Sequence, residues 1–488
     1  MSEETKAYEK AVQKIEIAED AGYRKALKRR QIQMIAVGGA IGTGLFLGAG
    51  GRFALAGPAL VFVYALCGFF AFLVMRALGE LIMHRPSSGS FVSYAREFYG
   101  EKMAFTVGWM YWLNWAMTSV ADVTAAALYM NFFQHYVPWL QGIPQWVFAL
   151  SALLLVLGMN LLSVKVFGEL EFWFSLLKVS SLVAFLAVGI YFVVSGTPID
   201  GHTPGLSLIA GNGGFFPHGI LPALIIVQGV VFAYAAIEVI GTTAGESENV
   251  QAVIPGAIRS VVLRLVVFYV CSVLLLAVLL PYTAYSAGES PFVTFFGKLG
   301  YNDVAIIMNL VVLTAVLSSL NAGLYSTGRI LHALAASGSA PAVLMKMNKA
   351  GVPYIGVAVT ALVTMIGVGL NAIVPSSAFE IALNVAALGI ISAWGVIILC
   401  QLKLWHKARR GEMTRPAFRM MGAPYTGILT LVFLAGVLVL MAFDYPTGTW
   451  TMASLIVIVP LLAVGWHLMR HRRAQAAVVK FQTEQEPA

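Results

Sequence analysis

The fold class predicted is an all-α membrane protein with twelve transmembrane helices, and three observations predict it. Hydrophobic residues make up 59% of the 488 and charged ones 11%, against about 25% charged in a soluble domain; the mean hydropathy is +0.82. Apolar runs of roughly 20 residues, enough to cross a bilayer as helix, recur from end to end. With residue 1 placed in the cytoplasm, 25 of the 31 Lys and Arg fall on inner segments and only Arg52 and Lys298 on outer loops, a positive-inside pattern. That bias accounts for the pI near 9.3 without nucleic acid as a partner. Soluble enzymes, DNA-binding proteins and disulfide scaffolds are excluded. Long apolar runs without alternation also exclude a membrane barrel.

Residues 1–31 form a charged cytoplasmic tail that lacks the apolar stretch of a signal peptide. The spans then fall at 32–55, 59–83, 105–133, 145–163, 172–195, 220–243, 260–282, 303–332, 354–373, 379–403, 425–443 and 450–469. Span one contains Gly38-Gly39-Ala40-Ile41-Gly42-Thr43-Gly44, four glycines in seven residues, which interrupts a helix. Span three carries Trp109, Trp112 and Trp115 on one face, read as packing or interface anchors, and Asp122 at its middle. Span five carries Lys178. Span six has a weaker interruption at Phe232-Ala233-Tyr234-Ala235-Ala236-Ile237-Glu238, followed by Gly241 and Gly245. Span eight holds Ser318, Ser319 and Asn321 at membrane depth. The loop 196–219 is expected to cap the outer face, and 334–353 to hold a short interfacial helix on the inner side. Cys67, Cys271 and Cys400 lie inside apolar runs and read as small core residues.

Interruptions at matching positions of two halves point to an inverted-repeat transporter with its site between them. Free N–H groups at a half-helix start attract a carboxylate, and free carbonyls at a half-helix end attract an ammonium. A zwitterionic amino acid fits both. The competing reading is that these glycines only allow close helix packing. Each ionisable residue at a helix centre costs about 2.5–3.5 kcal/mol on insertion scales, and so needs a partner or a pathway. Lys178 is either a proton carrier, or a fixed stand-in for a bound cation, or a side chain snorkelling to the interface. Asp122 is either functional or a permanently paired carboxylate. Glu238 is either a gate element or an acceptor for the N–H groups freed by the break. Ser318, Ser319 and Asn321 either line the site or join helices. No protease, hydrolase, nucleotide-binding or metal-ligating motif is present, so no cofactor or metal is expected. A channel would need a continuous polar face.

Four segments carry a family likeness: RRQIQMIAVGGAIGTGLFLGAG, RALGELIMHRPSSGSFVSYAREFYGEK, VFAYAAIEVIGTTAGE and SSLNAGLYSTGRIL. They resemble the bacterial permeases of the amino acid–polyamine–organocation superfamily, over about residues 22–470. Within it, SSGSFVSYAREFYGEK, NGGFFPHG, SPFVTFFGKLG and VLVLMAFDYPTGTW are most similar to the branch that carries L-asparagine. The resemblance implies a LeuT-like core of two inverted five-helix repeats, 32–195 and 220–403, then two helices at 425–469 and a cytoplasmic tail at 470–488. It implies that Thr43 and Gly44 hold the substrate carboxylate, and that carbonyls of Ala40, Ile41, Phe232 and Ala235 hold the ammonium, with Phe232 as lid. Lys178 falls where proton-coupled relatives place a lysine in the position of a sodium ion. Glu238 falls where relatives have a glutamate linking site and gate. Asp122 stands where many relatives have Glu in an Ala-Glu pair. Ser319, Asn321, Asn114 and Asp122 are available to a side-chain amide, and no spacing argument chooses between asparagine, glutamine, serine and aspartate as the substrate.

The function these readings imply is import of a neutral polar L-amino acid, L-asparagine, by proton symport across the bacterial inner membrane, with both termini cytoplasmic. The partners expected are the amino acid, the proton and the lipid bilayer. An amino-acid exchanger and a permease for another amino acid remain open. A sensing receptor would need a cytoplasmic domain, and the tails of about 30 and 18 residues are short for one.

Overall fold

The structure, a computed structural model, describes residues 41–87, 90–162, 164–239, 241, 250–300 and 302–485. The expected tail 1–31, the start of span one with Gly38, Gly39 and Ala40, and Gly245 lie outside the described residues. Helices dominate, with one isolated bridge between Ile199 and His202 among the described residues.

The described part of span one is two short helices, α1 (Thr43–Phe46) and α2 (Gly48–Ala56). At Gly57 the backbone enters the left-handed region, φ +63°, and the chain folds back into α3 (Leu60–His84). A β-carbon at Gly57 would also lie 2.5 Å from the Pro217 ring, so glycine is needed for conformation and for space. After α4 (Ser90–Tyr99) come α5 (Glu101–Phe132), α6 (Gln145–Leu162) and α7 (Val164–Ser195). The second half follows with α8 (Leu206–Gly211), α9 (Ile220–Ile225), α10 (Val227–Ala233), α11 (Val250–Leu279), α12 (Pro291–Lys298), α13 (Asn302–Ala336), α14 (Tyr354–Ile373) and α15 (Ala378–Arg409). Two last helices, α16 (Tyr425–Phe443) and α17 (Thr447–Gln485), complete the chain.

Nine helical stretches among the described residues are long and apolar enough to cross a membrane, one of them the bent Gly48–His84. Helix α5 is not among them, because it turns Asn114, Thr118, Ser119, Asp122 and Thr124 into the protein. It forms the centre, packing on α13, α14 and α15. In their most apolar stretches α15 is 78% buried and α17 is 0% buried. The inner helix is therefore covered by protein, while the outer one presents Ile456, Leu461 and Leu468 to its surroundings. Large exposed apolar side chains along whole helices are what a lipid solvent requires. The protein is an integral membrane protein.

Several expectations need correction. Arg52, counted on an outer loop, is on α2 and only 4% exposed. Cys271 faces outward, while Cys67 and Cys400 are buried as expected. The interfacial helix within 334–353 shrinks to a single 3-10 turn, Ala342–Met345. The final helix continues past 469 to Gln485. Helices α4 and α12 were unforeseen, since each is too short and mixed to resemble a span. Burial works to raise the carboxyl of Glu97 on α4, but His84 at 3.1 Å and Arg85 at 2.9 Å outweigh it and hold it below its usual range. Phe292 and Phe295 of α12 pack edge-on against Phe185. The 196–219 loop covers the N-terminal end of α3, with Phe215 and Phe216 on Phe62.

Near the C-terminal end of α3, Glu80 is fully buried. It accepts two bonds from Arg415 (2.6 and 3.0 Å), one from Gln401 (3.0 Å) and one from the Met420 N–H (2.7 Å). One carboxylate thus fastens the loop between α15 and α16. Glu80→Ala is expected to cost about 3–5 kcal/mol. Thermal unfolding in detergent measures the loss, and faster tryptic cleavage at Arg419 locates it.

Candidate functional site

The two interrupted spans meet backbone to backbone. Helix α10 stops at Ala233, and Tyr234-Ala235-Ala236 turn before a 3-10 segment, Ile237–Val239. Ala236 has φ +73°, a left-handed conformation costing a non-glycine residue about 1–3 kcal/mol. Across from it, extended Gly42 leads into α1. A β-carbon on Gly44 would lie 2.7 Å from Ala233 Cα, so the strands of backbone approach as closely as glycine allows. The carbonyl of Gly44 accepts bonds from Arg52 Nη1 at 3.3 Å and Tyr64 OH at 3.4 Å. The guanidinium fits because Gly48 and Gly229 have no β-carbon to meet it.

A cavity lies at this junction. Gly42, Thr43 and Gly44 line it from the first broken span, and Phe232, Ala233, Ala235 and Ala236 from the second. Helix α5 adds Asn114, Trp115 and Thr118, and α13 adds Ser319. Its volume is about 30 Å³, well below the roughly 150 Å³ of a cavity that takes up benzene. An amino acid enters only if the walls move apart.

Of the residues singled out in the sequence, Thr43, Gly44, Phe232, Ala235 and Ser319 line this cavity. Ile41 is buried just before it, and Ala40 lies outside the described residues. Asp122 sits behind Thr43, which donates a hydrogen bond to Oδ1 at 3.0 Å; the Ser319 hydroxyl also reaches this carboxylate. Asn321 is turned away from the cavity, where Asn160 donates to its side-chain oxygen (3.0 Å) and its carbonyl (2.8 Å). Trp109 donates to Ser339 O and Trp112 to Thr360 Oγ1, both at 3.1 Å. These two are packing residues, whereas Trp115 belongs to the cavity wall.

Lys178 does not snorkel: its side chain is 0% exposed. Its Nζ is 3.9 Å from Glu171 Oε1, and the Ser318 hydroxyl contacts both oxygens of Glu171 at 2.8 and 2.9 Å. The charge of Lys178 also acts on Asp122. Glu171 and Lys178 thus form a buried pair, and Asp122, on which Lys178 acts, is bonded to Thr43 on the cavity wall. Glu171 escaped the sequence reading because span five was started at 172; α7 begins eight residues earlier, which puts Glu171 inside. The signal was its spacing of seven from Lys178, which places both on one helix face. Glu238 accepts a bond from Tyr111 OH at 2.9 Å and faces the N–H groups of Ala236 and itself. It thus answers backbone donors released by the break. The arrangement offers ends of helices, hydroxyls and a caged ion pair.

Gly44→Ala is expected to lower uptake at least tenfold while the protein still reaches the membrane, as measured by transport and by quantity in the membrane fraction. Glu171→Leu leaves Lys178 without its neighbouring anion and is expected to cost about 3–5 kcal/mol. Adding Lys178→Met should restore most of it, and thermal unfolding of the two single variants and the double one measures the coupling.

Comparison with known proteins agrees with this geometry. The chain matches the family described as Amino acid permease over residues 31–475. It is 60% identical over 454 residues to L-asparagine permease 1 of Mycobacterium tuberculosis, covering 93% of this chain and 92% of that protein. It is 58% identical over 458 residues to the L-asparagine permease of Escherichia coli (94% and 91% covered). It is 53% identical over 460 residues to that of Streptomyces coelicolor (94% and 93% covered). A match to this family over most of the chain, with relatives named as permeases, identifies a transporter: the chain belongs to the amino acid permease family.

Proposed function

We propose that this permease imports L-asparagine by proton symport, through alternating access around the junction of its two broken helices. The observation that carries the substrate is the identity of 53–60% over more than nine-tenths of the chain to proteins named L-asparagine permeases. The junction supports the mode of binding. The N–H groups of Thr43 and Gly44 open a half-helix and suit the carboxylate. Carbonyls of Ala40, Ile41, Phe232 and Ala235 suit the ammonium, and the Phe232 ring closes over it. Ser319 and Asp122 complete the polar wall; Asn321, held by Asn160, takes the supporting role of joining α6 to α13.

Twelve spans follow if Gly48–His84 supplies two, bending at Gly57, and α5 and α11 join the other apolar stretches. On this reading 32–195 and 220–403 are inverted repeats, 425–469 holds two peripheral helices, and the termini, 1–31 and 470–488, lie in the cytoplasm. The asymmetry of Lys and Arg supports that orientation, and the bacterial relatives support the inner membrane. A cavity of about 30 Å³ means that loading and release each need a bundle to swing away. Lys178, tied to Glu171 and acting on Asp122, is suited to pass proton occupancy to the substrate wall. Glu238 holds the break through which the swing is transmitted.

One proton moving inward across 100 mV supplies about 2.3 kcal/mol, roughly a fifty-fold gradient at about 1.4 kcal/mol per decade. Liposomes with the purified protein and no internal amino acid should therefore accumulate labelled L-asparagine when an inward proton gradient is imposed. The Glu171→Leu, Lys178→Met double variant should show no such gradient dependence. Uptake that requires preloaded amino acid and ignores the gradient would make the protein an exchanger instead.

A further inference from the structure

We infer that Asn114 reads the side-chain carboxamide of the substrate, amide to amide, and sets the preference for asparagine over aspartate and over apolar amino acids. The inference rests on the reading that L-asparagine occupies the cavity. Asn114 lies on α5, lines the cavity and is 1% exposed. Its Oδ1 is buried and meets no hydrogen-bond partner. Leaving such an acceptor unpaired is costly, a cost that a bound ligand offering a donor would remove. The backbone beneath it is fixed: its carbonyl accepts the Thr118 hydroxyl at 2.8 Å, and Gly389 of α15 passes close enough that a β-carbon there would lie 2.5 Å from Asn114 Cβ.

Trp115 Nε1, Asp122 Oδ2 and Asn321 Nδ2 also lack partners, but of these Trp115 alone is among the residues lining the cavity, and an indole offers only a donor. The hydroxyls of Thr43 and Ser319 reach Asp122. The side-chain oxygen of Asn321 is engaged with Asn160. Among the residues lining the cavity, Asn114 is the one with a carboxamide. A primary amide offers one acceptor and two donors, and a second primary amide complements both at once. A carboxylate would meet Oδ1 of Asn114 with no donor to give. An apolar side chain would leave both ends of the amide unpaired, and sites built on such bonds reject ligands that lack them. The broken helices hold the amino-acid backbone, and α5 supplies a separate wall for the side chain.

The test measures binding to the full-length protein in nanodiscs by ligand-induced thermal stabilisation. L-Asparagine, L-aspartate and L-leucine, the last similar in shape to asparagine without its amide, are titrated against wild type, Asn114→Leu and Asn114→Asp. Wild type is expected to favour asparagine. Asn114→Leu should reduce the asparagine-to-leucine affinity ratio at least tenfold. Asn114→Asp, nearly isosteric, should weaken asparagine about tenfold, because it removes the donor for the amide oxygen. Both variants keeping the wild-type ratios would overturn the inference. So would a parallel loss of affinity for all three ligands, which would make Asn114 a packing residue. A wild type that does not favour asparagine would overturn the substrate reading itself, whatever the variants do.

Discussion

In a bilayer an interrupted helix can leave backbone groups unbonded only where protein covers them. Here each interruption covers the other. Gly44 of the first broken span sits against Ala233 of the second, at a distance that admits no side chain. The polar ends freed at Gly42–Gly44 and at Tyr234–Ala236 are thereby brought to one point and shielded from lipid. The strained conformation of Ala236 is held by the same contact and by Glu238, which answers the donors released there. Lengthen this contact and the cavity, its lining and the cover over its backbone are lost together.

The buried charges divide by how completely they are satisfied. Glu80 accepts four hydrogen bonds from three residues, so it has no capacity to change its partners without releasing a loop. The pair formed by Lys178 and Glu171 is longer, at 3.9 Å, and fully enclosed. Lys178 acts on Asp122, which is bonded to Thr43 on the cavity wall. The first arrangement fastens a loop; the second lies behind the wall of the cavity. Arg52 belongs to neither group. It sits between the two broken spans with one nitrogen on the carbonyl of Gly44, so a cation supports the very segment whose N–H groups face the cavity.

Much of the fold was legible because lipid imposes a length and a polarity on each helix. The apolar runs located the α3, α6, α14 and α16 spans to within one or two residues at most ends. The glycines of span one and the weaker signature of span six marked the junction. Failures occurred where polarity had another cause. Span five was started at 172, which left out Glu171, whose charge is met inside by Lys178 and Ser318. Arg52 was placed in water, when it is buried on α2. Asn321 and Asn114 were indistinguishable along the chain: both are single amides on apolar helices. Only the rotation of α13 toward α6, and of α5 toward the junction, separates a helix-joining amide from one that faces the cavity.

The sequence by itself thus determined that the chain crosses a membrane many times, that two of its helices are broken, and which stretch of each is interrupted. These are properties of composition and local backbone preference, and each is written in a window of about 20 residues. Tertiary structure alone decided which buried charge meets which, and that the cavity is small enough to demand movement. It also decided which of several polar side chains faces the cavity. A charge or an amide carries no mark of its partner in the linear chain. Its role is set by the neighbour that desolvation forces it to find.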